Sequence, residues 1–304
     1  AQIECWYYKS HTLRKLKRYE ECITCCNKAI QIDPTQIGLW NNKAYSLGML
    51  SKDKESITCF DEAIRLDPKE PYPWVNKASA LFNLERYEEC ITCCDDAIRL
   101  DPTKWDSWNT KADALFNLKR YEECITCCDD AIRLDPTKWD PWKTKAAALF
   151  NLERYEECIT CGNETIRLDL ARLELWHDKA LALLELKRYG ECSDFVDESI
   201  LFFEKNILDV TDSFTLLMRN ETIYILKSIK AGVLAELKQY DESIVYLNQS
   251  IELHPKSFEL WLVKGEVLKE MGKEKEAELC FVQAKKLENE FNDEIETIAE
   301  KESN

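Results

Sequence analysis

The stretch that decides the fold is residues 105–138, WDSWNTKADALFNLKRYEECITCCDDAIRLDPTK. Within it, Trp108, Ala112 and Leu115 are spaced as i, i+4 and i+7, so they lie on one face of a first helix. A short turn follows, and then a second apolar face formed by Tyr121, Cys124, Cys128 and Ala131. Pro136 ends the second helix because proline cannot continue it. The stretch therefore predicts two antiparallel helices whose apolar faces meet.

The same hairpin recurs along the chain at a fixed interval of 34 residues. The interval is marked by Trp6, Trp40, Trp74, Trp108, Trp142 and Trp176. A lone hairpin leaves part of its apolar surface uncovered, so neighbouring hairpins must stack on one another. The sequence therefore predicts six tandem hairpins over residues 1–204, starting near residues 3, 37, 71, 105, 139 and 173.

The C-terminal part of the chain departs from this interval. Two further hairpins are predicted over residues 224–285, starting near residues 224 and 258. The longer gap before them leaves residues 205–223 as a helical insertion. Residues 286–304 are predicted to form a capping helix with an acidic tail, because Leu287, Phe291 and Ile295 recur at helical spacing.

The repeated pattern resembles the consensus of the tetratricopeptide repeat (TPR) family. The matching positions are Trp108, Ala112, Leu115, Tyr121, Cys124, Cys128, Ala131 and Pro136. The resemblance implies an all-α fold, a right-handed α-α superhelix (solenoid) of about eight TPR helical hairpins with a C-terminal capping helix. It also implies a non-catalytic protein–protein interaction scaffold, whose first helices line a concave groove for a peptide or helix of a partner.

Four rows of residues on the first helices of the third to fifth hairpins are predicted to face this groove. The rows are Val75, Asn109 and Lys143; Ser79, Asp113 and Ala147; Phe82, Phe116 and Phe150; and Asn83, Asn117 and Asn151. Aromatic rings offer apolar contact area, and a primary amide can both donate to and accept from a peptide backbone. In the alternative interpretation, the Phe residues only pack between neighbouring first helices and the Asn residues only end them.

Some TPR co-chaperones grip the C-terminal carboxylate of heat-shock chaperones with a clamp of two Lys, one Arg and two Asn residues. The matching places in the first three hairpins are Tyr7, His11, Asn42, Tyr72 and Asn76. Only Asn42 agrees with the clamp pattern. The sequence therefore predicts that these hairpins carry no carboxylate clamp.

Fifteen cysteines leave a second class of function open. A Cys-x-x-Cys-Cys motif occurs at Cys22/Cys25/Cys26, Cys90/Cys93/Cys94 and Cys124/Cys127/Cys128. Thiols converging on one helix face would suit a thiol-based redox or metal-responsive protein. The alternative is packing, because a free cysteine behaves as a small buried hydrophobic residue and i, i+3 pairs make poor disulfides. We favour packing, and the many free thiols then predict a reducing, cytoplasmic location.

Composition and motifs narrow the remaining classes of function. The net charge of −16 disfavours nucleic acid as a partner and favours a basic or mixed peptide. No run of apolar residues is long enough to cross a membrane. The sequence lacks phosphate-binding loops and catalytic or metal-ligand motifs, so no enzyme activity, cofactor or metal is predicted. The ends of the array leave self-association open.

A row of lysines recurs on the first helices, including Lys77, Lys111 and Lys145. A buried and unpaired lysine would be costly, so each amine must reach solvent or an acid. The predicted partners are Glu88, Glu122 and Glu156.

Overall fold

The computed structural model of the protein describes the backbone of residues 2–168, 174–206 and 213–302. Every described element is an α-helix, and the helices follow one another through short turns. Contacts divide the chain into two compact units, unit 1 (residues 1–154) and unit 2 (residues 155–304). Within each unit the helices stack as hairpins, which confirms the predicted all-α repeat class.

Unit 1 begins its first helices at residues 2, 37, 71, 105 and 139, within one residue of the predicted starts. Its described helices are α1 (Gln2–Lys15), α2 (Tyr19–Ile32), α3 (Ile37–Gly48), α4 (Asp53–Leu66), α5 (Pro71–Asn83), α6 (Tyr87–Leu100), α7 (Trp105–Asn117), α8 (Tyr121–Leu134) and α9 (Trp139–Asn151).

The hairpin of α7 and α8 shows how each repeat is held together. On α7, Ala112 is fully buried and Leu115 is buried beside it. On α8, Cys124 and Cys128 are fully buried, so small side chains allow the two helices to pack closely. The Trp108 indole donates a hydrogen bond over 3.2 Å to the carbonyl of Pro102, which fixes the loop that enters the hairpin.

A left-handed residue closes the turn inside each hairpin. Lys119 has a φ of 59°, and its N–H donates to the Phe116 carbonyl, while the Arg120 N–H donates to the Leu115 carbonyl. This bond pair is the Schellman motif that satisfies the last carbonyls of a helix. The same positive φ recurs at Lys17, Ser51, Glu85, Glu153, Lys187, Lys238 and Gly272. Only the last of these positions carries the glycine that the conformation favours.

Replacing Lys119 by glycine should therefore stabilise the protein. The left-handed conformation costs a non-glycine residue roughly 1–2 kcal/mol, and the greater freedom of glycine in the unfolded chain offsets part of the gain. We expect Lys119→Gly to raise the free energy of unfolding by about 0.5–1 kcal/mol in a urea titration. Lys104→Gly is the control, because Lys104 has a φ of −88° and should gain nothing. Equal effects at both positions would contradict the prediction.

Unit 1 curves toward its first helices. Successive first helices contact one another, α1 with α3, α3 with α5, α5 with α7 and α7 with α9. Each of α2, α4, α6 and α8 contacts the first helices of its own and the next hairpin. Among the described residues of this unit, successive second helices make no comparable contact with each other. First helices are thus closer together than second helices, which places them on the inner side of the stack.

The lysine row pairs with acids other than the predicted ones. Lys111 Nζ lies 2.5 Å from Asp95 Oδ1, on the second helix of the preceding hairpin. Lys77 and Lys145 make the same contact with Asp61 and Asp129, at 2.6 and 2.5 Å. The prediction of Glu88, Glu122 and Glu156 was wrong, because these acids point to the arginine of the next hairpin. They pair with Arg120, Arg154 and Arg188.

Unit 2 contains longer helices. They are α10 (Tyr155–Leu168), α11 (Glu174–Glu185), α12 (Tyr189–Asn206), α13 (Ser213–Glu236), α14 (Tyr240–Leu253), α15 (Phe258–Glu270) and α16 (Glu274–Glu302). With 18 and 24 residues, α12 and α13 exceed the 12 to 14 residues typical of unit 1. Trp176 stacks on Phe195 at 5.2 Å between ring centroids, and Phe203 packs edge-on against it. This aromatic cluster fills the hairpin of α11 and α12.

Two predicted segments fall in unit 2. Of the insertion at 205–223, residues 205–206 end α12 and residues 213–223 begin α13, while residues 207–212 lie outside the described part. The segment from residue 286 is the continuation of α16 and not a separate helix, since no Pro or Gly follows Ala284 to end it. Its capping role stays a prediction. Among the described residues, none of the helices is both long and apolar enough to cross a membrane.

Candidate functional site

The predicted groove residues all lie on the first helices of unit 1. They occupy α5, α7 and α9, three helices that contact one another in series. The exposed members are Ser79, Asn83, Asn117 and Asn151. The half-buried members are Val75, Phe82, Asn109, Asp113, Phe116, Lys143, Ala147 and Phe150. We call this surface the first-helix face.

Two members of the phenylalanine row contact a tyrosine of their own hairpin. The rings of Phe82 and Tyr87 lie 5.4 Å apart edge to face, and those of Phe116 and Tyr121 lie 5.5 Å apart. Each tyrosine begins the second helix of the same hairpin. Phe82 and Phe116 therefore contact the start of the second helix in their own hairpins. The role of this row in binding a partner stays a prediction.

The asparagine row is partly used to end the first helices. The side-chain amides of Asn117 and Asn151 each donate over 2.8 Å to a backbone carbonyl one turn earlier, those of Asp113 and Ala147. The amide of Asn83 instead donates over 3.3 Å to Asp53 at the start of α4. The amide hydrogens are thus engaged by the protein itself, and the amides remain exposed at the rim of the first-helix face.

Asp113 is the centre of a polar cluster between α7 and α9. The Asn109 amide donates to its carboxylate over 3.0 Å, and the Thr144 hydroxyl donates over 2.7 Å. Burial raises the pKa of Asp113 to about 6; Asp140 raises this pKa further, while Thr144, Lys143 and Asn109 oppose the rise. The protein by itself therefore stabilises the ionised form of the Asp113 carboxylate only weakly.

The same cluster contains a hydrogen-bond acceptor, the side-chain oxygen of Asn109, that receives no hydrogen bond from the described residues. This oxygen is also buried. A buried polar atom of this kind costs free energy unless a ligand or solvent satisfies it. Sequence reasoning found Asn109 and Asp113 but missed Thr144. The available signal was its position: Thr144 directly follows Lys143, a predicted groove residue, and its hydroxyl reaches Asp113 on the preceding first helix.

The clamp position that agreed in sequence is used for packing. Asn42 is 6% exposed, and its amide donates over 3.0 Å to the hydroxyl of Ser10. Ser10 is itself fully buried in α1. The one residue that matched the clamp pattern therefore connects two hairpins and is not available to a carboxylate.

The cysteines are packing residues in this structure. Fourteen are buried and only Cys5 is exposed. Burial raises the pKa values of Cys93 and Cys127 to about 11, so these thiols stay protonated. Cys22 differs, because a hydrogen bond from Cys26 lowers its pKa to about 7, yet its side chain is fully buried. No group of three or more metal-binding side chains occurs among the described residues.

Thiol titration of the native protein should therefore detect one rapidly reacting cysteine. Reaction requires access of the reagent to a thiolate, and only Cys5 combines exposure with a surface position. We expect one equivalent of a thiol reagent to react quickly, and all fifteen in denaturant. Cys5→Ser should remove the fast phase. Rapid labelling of several thiols in Cys5→Ser would instead support the redox interpretation.

Comparisons with known proteins were made for sequence and for structure. A tetratricopeptide repeat model matches residues 3–36, and a second one matches residues 229–257 and 258–291. A model of "anaphase-promoting complex, cyclosome, subunit 3" matches residues 49–131. No curated protein matches the chain in sequence.

Solved structures resemble the fold. MamA from Desulfovibrio magneticus RS-1 is 16% identical with a TM-score of 0.53, over 56% of this chain and 96% of that one. YrrB, "a TPR protein with an unusual peptide-binding site", is 15% identical with a TM-score of 0.52, over 60% and 94%. A chain of the APC/C hetero-tetramer Cut9–Hcn1 is 14% identical with a TM-score of 0.54. That match covers 92% of this chain and 52% of that one, so this chain spans about half its length.

At these identities the structural likeness shows the fold alone. The stacked hairpins, the periodic tryptophans and the exposed first-helix face define a helical-repeat protein. The matches at both ends of the chain specify the kind of repeat. The chain belongs to the tetratricopeptide repeat family.

Proposed function

We propose that the protein is a non-catalytic scaffold that binds a peptide or helix of a protein partner on the first-helix face of unit 1. YrrB, which has the same kind of repeat, carries a peptide-binding site by its description. The free thiols of all fifteen cysteines fit a reducing, cytoplasmic setting. The acidic surface fits a protein partner better than a nucleic acid.

The observation that carries this proposal is the cluster of Asn109, Asp113 and Thr144. It places a half-buried carboxylate on the first-helix face, beside an amide oxygen that is buried without a partner among the described residues. The carboxylate is an acceptor, so it fits a donor such as a lysine or arginine side chain or a backbone N–H of a bound chain. The net charge of −16 would attract a basic segment to the protein.

Peptide selection on the full chain tests the proposal. We expect a random dodecapeptide library to yield binders with a lysine or arginine at a fixed position. Asp113→Asn should weaken these binders by about 10- to 100-fold, because charge-assisted hydrogen bonds contribute about 1.5–3 kcal/mol. Asp106→Asn is the matched control, since Asp106 is exposed on the first turn of the same helix. A library that yields no binder, or binders that ignore Asp113, would reject the proposed face.

The binding should also depend on pH. The pKa of Asp113 is raised to about 6, so its carboxylate is ionised at about pH 7.5 and mostly protonated at about pH 5. A cationic side chain prefers the ionised form, so affinity is present above this pKa and falls as pH drops through it. We expect binding to be about tenfold weaker at about pH 5 by fluorescence anisotropy. Asp113→Asn should lose this pH dependence, and an unchanged profile in that variant would contradict the assignment.

A further inference from the structure

The first three hairpins contain an arginine that pairs with no acid among the described residues. Arg14 lies in the last turn of α1, half-buried on the side of the first helices. Its guanidinium carbon lies 4.9 Å from the centre of the Tyr45 ring on α3. Its closest polar contact joins Nη2 to His11 Nδ1 at 3.4 Å, which is long for a hydrogen bond. Its Nε is buried and has no acceptor within the described part of the chain.

This situation is unusual for the chain. Every other arginine whose side chain the structure describes pairs with an acid, and these residues are Arg18, Arg65, Arg86, Arg99, Arg120, Arg133, Arg154, Arg167 and Arg188. Acids outnumber bases by 57 to 41 in the sequence, so an unpaired arginine does not result from a shortage of acids. The surroundings of Arg14 contain rings and an imidazole where a carboxylate would be expected.

One tyrosine stacks on this guanidinium, and the first helices on either side of it each carry a partly exposed tyrosine. Tyr45 on α3 supplies the stacked ring. Tyr7 on α1 packs over Gly38, where a Cβ would lie 2.4 Å from the ring. Burial raises the pKa of Tyr72 on α5, and the charge of Arg14 opposes this rise. Tyr7 and Tyr72 are each 37% exposed. The result is a cationic centre backed by an aromatic ring.

An anionic group is the ligand that this centre fits. Guanidinium offers planar N–H donors that match a carboxylate in a two-point contact, and an exposed tyrosine hydroxyl can donate a further bond. A cationic side chain would be repelled, and a purely apolar side chain would leave Nε unsatisfied. Desolvated arginine and tyrosine side chains are also the residue types that dominate binding energy in protein interfaces.

We propose that Arg14, backed by Tyr45, binds a carboxylate of the partner polypeptide. This inference rests on the proposed function and adds to it: the partner carries an acidic group that docks on α1–α5, in addition to the basic group for α7–α9. The contact differs from the co-chaperone clamp, because Arg14 and Tyr45 lie outside the five positions that match the clamp, although Tyr7 and Tyr72 occupy two of those positions. The charges at the two places fix the direction in which the partner lies along the face.

Peptide selection on the full chain with Arg14→Gln tests the site. We expect binders selected on the wild-type protein to carry Asp or Glu, or to require a free C-terminus, and the same selection on Arg14→Gln to lose this preference. Amidated peptides separate the two sources of carboxylate. Arg18→Gln is the control, because Arg18 is exposed and pairs with Glu21 next to the same turn. Its selections should match the wild type.

A double-mutant cycle between protein and peptide gives a test that does not depend on whether the protein variant folds. Replacing the peptide's Glu by Gln should weaken binding to the wild-type protein by about tenfold or more, and should add no further loss in Arg14→Gln. The peptide exchange alone tests the contact if Arg14→Gln does not fold. Binders without an acidic preference, or a preference that survives Arg14→Gln, would overturn this inference while leaving the proposed function intact. A library without any binder would overturn both.

Discussion

Leu115→Ala should lower the free energy of unfolding by about 3 kcal/mol. Leu115 is 1% exposed and packs between the two helices of the fourth hairpin, so its truncation removes apolar contacts and leaves a cavity. Urea unfolding followed by circular dichroism measures the loss. Within unit 1, successive hairpins are joined by contacts with their neighbours, so a weakened central hairpin should also broaden the transition.

The matched control is Leu16→Ala, because Leu16 is 61% exposed at the end of the first hairpin's first helix. It should change the stability by less than about 0.5 kcal/mol. Leu81 and Leu149 occupy the same buried position in the hairpins on either side, and alanine there should cost as much as at Leu115. A loss below about 1 kcal/mol at all three positions would show that the interface between the helices is not a packed core.

Asp197→Ala should destabilise unit 2 by about 2 kcal/mol, because it leaves a buried ammonium without its counter-charge. Lys230 is 5% exposed on α13, and its Nζ lies 2.5 Å from Asp197 Oδ2 and 2.6 Å from Ser193 Oγ. The carboxylate itself is about half-exposed, which reduces the expected effect below that of a fully buried pair. Thermal and urea unfolding measure the change.

Two further variants separate the charge from the packing. Lys230→Met keeps the apolar stem and removes the charge, so its stability should lie within about 1 kcal/mol of the wild type. Adding Asp197→Ala to Lys230→Met should then cost little. Asp194→Ala is the surface control, because Asp194 is an exposed acid on the same helix. If Asp197→Ala is as mild as this control, the Lys230 amine reaches water without its partner.

The helix boundaries were predictable because they follow from local chemistry. Each second helix of the first four hairpins ends before an Asp-Pro pair, and the periodic Trp and Ala positions fix the first helices. The period of 34 residues then carries the assignment from hairpin to hairpin. The same argument placed the groove residues on α5, α7 and α9, but their role as a binding site stays a prediction.

Contacts between hairpins were harder to predict. Lys111 was assigned to a glutamate, whereas it pairs with Asp95, sixteen residues earlier. The helical period predicts on which face of the helix a lysine lies. Which acid it pairs with depends on how far one hairpin is shifted against the next. Asp61, Asp95 and Asp129 recur at the same interval as the lysines, and this periodicity was the signal available. The surroundings of Arg14 depend on how α3 packs against α1, and no repeated residue pattern signals them.

The joints between the third, fourth and fifth hairpins are chemically interchangeable. Lys111 meets Asp95 and Lys145 meets Asp129 at the same distance, and Arg120 and Arg154 each reach back to the glutamate of the preceding hairpin. A duplicated copy of residues 105–138 would thus find matching partners at both of its ends. Gene duplication can lengthen such an array without inventing a new interface, and a longer array offers a longer ligand more places to attach.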